Sequence, residues 1–213
     1  MNITKLGHCC LLIEEKGLRI LTDPGAYSTG QNEIKNIDVV LITHEHADHL
    51  HVDSLKTVLK NNPKAQVITN KGVAKILDKE KIPHSLLTDG MHTTINNVII
   101  EGFGKKHAEI HPAVPVVDNT GYFIANRFFY PGDAFTNPGK HVEILALPVA
   151  GPWMKIAEAI AYAEEVKPKI CFPVHDGMLQ PGRLGPVHML PGKVLPSKGI
   201  QFKGLEEGKP EKF

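Results

Sequence analysis

Three imidazoles and a carboxylate fall within six consecutive positions of the segment Thr43-His44-Glu45-His46-Ala47-Asp48-His49. They follow directly on Ile37-Asp38-Val39-Val40-Leu41-Ile42, an apolar run that reads as a strand buried on both faces. Such a strand needs a covered sheet around it, and its end is where a rigid scaffold can present side chains to a ligand. His44 and His46 are two apart, so on extended backbone they point to the same side. Asp48 and His49 come after the chain turns and can reach a second point close by. Neutral imidazole and carboxylate are natural ligands of zinc and other borderline divalent metals. The spacing suggests two ions rather than one. A polar loop rich in histidine is the plain alternative, and for a lone histidine it would be the better one.

The 213 residues are long enough for one sizeable core, and one domain spanning 1–213 is the expected organisation. Lys+Arg 24 against Asp+Glu 23 leaves no basic surplus, which argues against nucleic acid as a partner. No apolar h-region of signal-peptide kind precedes Glu14 and Glu15, so no signal peptide is expected. No run is long enough to span a bilayer. Cys9, Cys10 and Cys171 are odd in number and form neither a disulfide framework nor a C-x-x-C pair. A reducing cytoplasm is the simplest compartment for such a chain.

Thr4 to Asp23 reads as two strands, with Cys9–Ile13 and Leu18–Leu21 as their apolar pieces and Lys16-Gly17 as the turn. After the histidine motif, Val52, Leu55, Val58 and Leu59 have helical spacing and stop before Pro63. Gln66–Thr69 reads as a short strand, and Val73, Ile76 and Leu77 mark a second helix. Strands are expected at Val98–Ile100, Tyr122–Ile124 and Phe128–Tyr130, with Asn126-Arg127 as a hairpin turn between the last two. Leu145–Val149 is another buried strand. Gly151-Pro152 opens a helix with Trp153, Ile156, Ala157, Ile160 and Ala161 on one face, ending at Pro168. Lys169–Phe172 is the last core strand, and Cys171 within it reads as core. Beyond Met178 the chain is rich in Pro and Gly, and its tail is expected to shape a pocket rim or an oligomer contact. Strands in succession with helices interspersed suggest an α/β fold of layered sheets with helices outside.

Further ligand-capable residues stand just past three of these strands. His107 follows Gly102-Phe103-Gly104-Lys105-Lys106, Asp133 follows Tyr130-Pro131-Gly132, and His175 follows Phe172-Pro173-Val174. Each taken alone has an ordinary reading: a surface histidine, a turn aspartate and a structural hydrogen bond. Their joint occurrence behind the first motif is what points to one site.

The ordered set His-x-His-x-Asp-His, His, Gly-Asp, His resembles that of the metallo-β-lactamase fold superfamily, over nearly the whole chain to about Gly177. Leu6-Gly7-His8-Cys9-Cys10-Leu11-Leu12-Ile13 with Ile20-Leu21-Thr22-Asp23-Pro24 is similar, more narrowly, to the branch of ascorbate-6-phosphate lactonases and related metal-dependent hydrolases. The resemblance implies a four-layer αββα sandwich with metals in a cleft along one sheet edge. It implies that His44, His46 and His107 hold one ion, Asp48, His49 and His175 the other, and that Asp133 bridges them. It places His107, rather than His111, in the ligand set. Asp23 is then either an orienter of a ligand imidazole or a plain turn carboxylate. His8 is either a satisfied core histidine or a cleft residue that contacts substrate or relays a proton. His51, His84, His92, His141 and His188 read as surface residues.

The function these expectations give is hydrolysis of an ester, lactone or phosphodiester by a hydroxide held between two divalent ions. Zinc comes first, with manganese or iron compatible. Catalytic roles fall to Asp48, His8 and Asp23. The substrate is a small molecule, and Lys105, Lys106 and Arg183 are cations that could meet an anionic one. A homo-oligomer stays open. Redox di-iron relatives carry Glu where this chain has His46, which favours hydrolysis. The competing reading is a metal-binding regulator or scaffold with little activity.

Overall fold

The computed structural model describes residues 1–180 and 182–213. Side chains alternate along its central strands between two cores, as the pleat requires. The first sheet and its helices comprise β1 (Asn2–Gly7), β2 (Cys10–Glu15), β3 (Leu18–Thr22), β4 (Val39–Leu41), α1 (Val52–Asn61), β5 (Gln66–Thr69), α2 (Lys71–Lys79) and β6 (Ser85–Leu86). The second comprises β7 (His92–Ile95), β8 (Val98–Phe103), β9 (Gly121–Ile124), β10 (Phe128–Tyr130), β11 (Ile144–Pro148), α3 (Ile156–Val166), β12 (Ile170–Val174), α4 (Gly185–Val194) and β13 (Gln201–Phe202). The chain then crosses back, and β14 (Pro210–Lys212) pairs with β1. The sheet orders are β14-β1-β2-β3-β4-β5-β6 and β13-β12-β11-β10-β9-β8-β7.

Ile20, Val39 and Leu41 of the first sheet face Tyr122, Ile124, Phe128 and Tyr130 of the second in one shared core. Their neighbours Leu21, Val40 and Ile42 turn outward onto Leu55 and Val58 of α1 and Val73 and Leu77 of α2. Phe123, Phe129, Leu145 and Cys171 turn outward onto Ala159, Tyr162, Ala163 and Val166 of α3. The result is the expected αββα stack of helices, two sheets and helices.

The parallel pairs decide where a site can form. β3 runs parallel to β4, and β10, β11 and β12 run parallel to one another. Loops leaving the carboxyl ends of parallel strands are the usual place for a ligand. Here they are drawn together across the two sheets: Tyr122 donates to the Ile42 carbonyl at 2.8 Å, and the Thr120 amide donates to the Thr43 carbonyl at 3.0 Å.

Three expectations differ from the structure. The N-terminal region holds three strands, not two, because Gly7 (φ 127°) and His8 (φ 45°) bend the chain within what read as continuous apolar sequence. The α3 helix begins at Ile156, so Trp153 lies in the loop before it, and Ala157 and Ala161 face solvent. The buried face is set by Ala159, Tyr162, Ala163 and Val166, which pack on the second sheet. The third is an addition: β12 is the last buried strand, as expected, but two short, largely exposed strands follow it, β13 extending one sheet and β14 the other. No helix among the described residues is long and apolar enough to cross a membrane.

Candidate metal centre

Four loops carry the candidate ligands and a fifth, after β3, braces them; the tightest junction is at Gly25. A Cβ there would lie 1.7 Å from the Asp48 carbonyl oxygen, so the loop after β3 packs backbone to backbone on the histidine motif. The Ala26 amide donates to the Ala47 carbonyl at 2.8 Å across the same junction. Gly132 (φ 65°) plays the same part opposite, where a Cβ would meet Asn119 Oδ1 at 2.4 Å. Of the residues around the site, His8 (φ 45°), Asp23 (φ 38°) and His175 (φ 64°) take left-handed backbone, as several turn residues elsewhere do. That conformation is sparsely populated by such residues and tends to cluster at functional sites.

His44, His46 and His107 form one group whose ligand atoms lie within 4.8 Å of one another; His44, His49 and Asp133 form another. His44 Nε2 is 3.1 Å from His46 Nδ1. Asp133 lies between the groups: its Oδ1 is 3.1 Å from His49 Nε2, and its Oδ2 is 2.8 Å from His175 Nε2 and 3.3 Å from His107 Nε2. Asp48 Oδ2 stands 3.5 Å from His175 Nε2 and 3.8 Å from His49 Nε2. All seven expected ligands are thus brought together. His111 is on the exposed loop, accepting from the Ala113 amide, while His107 is buried.

Surrounding groups fix which imidazole nitrogen is free. His49 Nδ1 donates to Asp23 Oδ2 at 2.7 Å, and Asp23 also accepts from the Thr43 amide and hydroxyl and from Tyr130. His107 Nδ1 donates to the Ala108 carbonyl at 2.5 Å. His8 Nδ1 accepts the Gly177 amide at 3.1 Å, which assigns the ring hydrogen to Nε2, 3.2 Å from Asp48 Oδ2. Left over are His49 Nε2, His107 Nε2, both nitrogens of His175 and Asp133 Oδ1, all buried without a hydrogen-bond partner. Buried polar atoms are seldom left so. Orphaned atoms converging from three histidines and a carboxylate fit a cation.

The electrostatics divide the ligands. Burial first, and then neighbouring imidazoles, hold His44 and His46 below the usual histidine range, in the neutral form a metal needs. Burial opposes charge on His49 and His175 as well, but Asp133 beside them raises both. Burial also opposes ionisation of Asp48, yet the His8 hydrogen bond and the neighbouring His49 and His175 hold its carboxyl at about 2.

Three residues here were not legible as site residues. Trp153 Nε1 donates to Asp133 Oδ2 at 2.9 Å. Cys9 groups with His8, His49 and His175 as a fourth ligand-capable atom. Its place inside an apolar run gave no sign that it faces imidazoles. His188, read as a surface residue, is half-buried with Nε2 2.8 Å from Asp176 Oδ2.

The family model described as "Beta-lactamase superfamily domain" matches residues 2–175. The chain belongs to that superfamily. Among relatives of this β-lactamase superfamily protein, Rv0786c of Mycobacterium tuberculosis is 37% identical over 190 residues, covering 87% of this chain and 88% of the relative. A UPF0173 metal-dependent hydrolase of Carboxydothermus hydrogenoformans is 27% identical over 205 residues, covering 82% and 84%. The solved structure of Igni18, a metallo hydrolase from Ignicoccus hospitalis, matches with a TM-score of 0.75 at 20% identity, covering 100% of this chain and 98% of that one. At that identity the likeness shows the fold. Of these, the Carboxydothermus relative is named a metal-dependent hydrolase and the Ignicoccus structure a metallo hydrolase, names coarser than the lactonase branch.

Proposed function

We propose that this protein is a metal-dependent hydrolase in which His44, His46 and His107 hold one divalent ion, Asp48, His49 and His175 a second, and Asp133 both. The observation that carries this reading is the convergence of buried, partnerless ring and carboxylate atoms from His49, His107, Asp133 and His175. When bound, a pair of such ions supplies a hydroxide nucleophile at neutral pH and Lewis acidity toward the scissile bond of an ester, lactone or phosphodiester. Asp23 holds the His49 ring with Nε2 turned inward, and the Trp153 indole holds Asp133. His8, kept in one tautomer by the Gly177 amide, fixes the Asp48 carboxylate. The imidazole-rich donor set, with the Cys9 thiol alongside, suits zinc better than the harder manganese ion.

The test is turnover of neutral and anionic esters, lactones and phosphodiesters by metal-loaded protein. His46→Ala and Asp48→Ala should each abolish it while leaving the far-ultraviolet circular dichroism unchanged. Unchanged rates in metal-analysed variants would overturn the assignment. Two bound ions with no turnover on any substrate would support the scaffold reading instead.

A further inference from the structure

Beside His8 lies a cavity of about 390 Å³ whose walls include Tyr27, Leu184 and Leu205. Its size falls within the roughly 300–1,000 Å³ of small-molecule sites. One imidazole separates it from the ligands. The Tyr27 ring packs edge-on against His8 at 5.2 Å, and Gly177, also in the wall, donates to His8 Nδ1. His8 Nε2 in turn reaches Asp48. Tyr27 is 52% exposed, so it is open to a guest as well as to His8.

The floor is polar, but its charge is spent. Lys5, 3% exposed, places Nζ 2.5 Å from Asp176 Oδ1 and 3.1 Å from the Pro173 carbonyl. Asp176 Oδ2 meets His188 Nε2 at 2.8 Å. Glu207 on the wall adds a negative charge. An anionic guest would find Lys5, the lysine lining the cavity, already neutralised and a carboxylate nearby. Arg183, exposed between Gly182 and Leu184, is not part of the lining, so desolvation of the anion inside would go uncompensated. The cations flanking the other side of the centre are paired too, Lys105 with Asp89 at 3.5 Å and Lys106 with Asp118 at 2.8 Å. There the exposed side chains next to His46 and His107 are apolar: Ile110, Val114 and Val116.

We propose that the cavity walled by Tyr27, Leu184 and Leu205 seats an uncharged, largely apolar group of the substrate while the scissile bond lies at the metal ligands. The inference rests on the hydrolase reading and adds a substrate class to it. The cavity discriminates by carbon surface, and a phosphate-bearing tail is excluded from it.

The experiment compares δ-valerolactone, δ-decalactone, which adds a pentyl tail, and a δ-lactone whose tail ends in phosphate, on metal-loaded protein. The wild type should show kcat/KM for δ-decalactone about tenfold or more above that for δ-valerolactone, chiefly through KM, since each buried methylene adds to binding. Leu184→Arg, and independently Leu205→Arg on a different segment, should bring that ratio close to one. A ratio near one in the wild type, a ratio kept in both variants, or a preference for the phosphorylated lactone would overturn the proposal. If no lactone is hydrolysed, saturation transfer from protein to the pentyl hydrogens of δ-decalactone decides separately. Transfer in the wild type that is lost in Leu184→Arg upholds the cavity, and the hydrolase reading then stands or falls separately on the esters and phosphodiesters. Absence of transfer overturns the cavity.

Discussion

Asp23 shows how much of a metal ligand's behaviour is decided by a neighbour that never touches the ion. With both oxygens occupied by Thr43, Tyr130 and His49, it is a fixed acceptor that leaves His49 one nitrogen to offer. Asp23→Ala should weaken binding of the ion at Asp48, His49 and His175 by about 10–100-fold, the usual cost of losing such a support. The ion at His44, His46 and His107 should be held nearly as before. Competition against a fluorescent zinc chelator measures both constants, and equal weakening of the two sites would contradict the assignment. The titration of the rings makes a second distinction. In metal-free protein burial opposes charge on all four rings, but Asp133 raises His49 and His175 while neighbouring imidazoles lower His44 and His46 further, so protons are held more tightly in the second group than in the first. Filling the second site must therefore expel protons, and its affinity should climb with pH more steeply than that of the first. Calorimetry in buffers of different ionisation heat should show proton release confined to one of two binding steps. That these histidines would converge was legible because each stands just past a strand and four of the candidates crowd into one short segment. The Lys5–Asp176–His188 cluster was not, because Lys5 and Asp176 lie 171 positions apart and neither carries a local signal.

At the level of elements, the sequence conveyed those strands and helices whose periodicity is long enough to be read. Gln66–Thr69 and the α1 and α2 helices follow the expected pattern; the β9–β10 hairpin forms too, but its turn centres on Ala125 and Asn126, both at positive φ, one residue before the expected Asn126-Arg127. Two-residue β13 and three-residue β14 carry no period at all, and they exist because the open edges of β12 and β1 accept them. The bend at Gly7-His8 was hidden for a related reason: apolar residues on either side mask a backbone reversal made for the site. Gly25 is the element-scale counterpart of a ligand, since it lets two loops touch. Gly25→Ala must push Asp48 and its loop away, at about 1–3 kcal/mol for an overpacked junction. It should lower the thermal midpoint and reduce occupancy of the second ion site more than the first. An unchanged midpoint with full occupancy would show that the contact between the loops is not required.

Across the whole molecule, two sheets share one core, and their strand ends deliver ligands to the same place. His44, His46, Asp48 and His49 come from the first sheet, and His107, Asp133 and His175 from the second. In the proposed assignment neither sheet supplies a full set for either ion, so the centre would require both sheets in place. The order of the ligands in sequence revealed the site; which loops would be locked together, and which cavity would open behind His8, depended on contacts between distant segments. The most direct test is the metal content of protein loaded with zinc and freed of excess, measured by plasma mass spectrometry against quantified chain. Two ions per chain are expected, falling to one in His46→Ala, because that residue serves only the first site. A wild-type content of one, or two ions retained in His46→Ala, would contradict the two-ion centre.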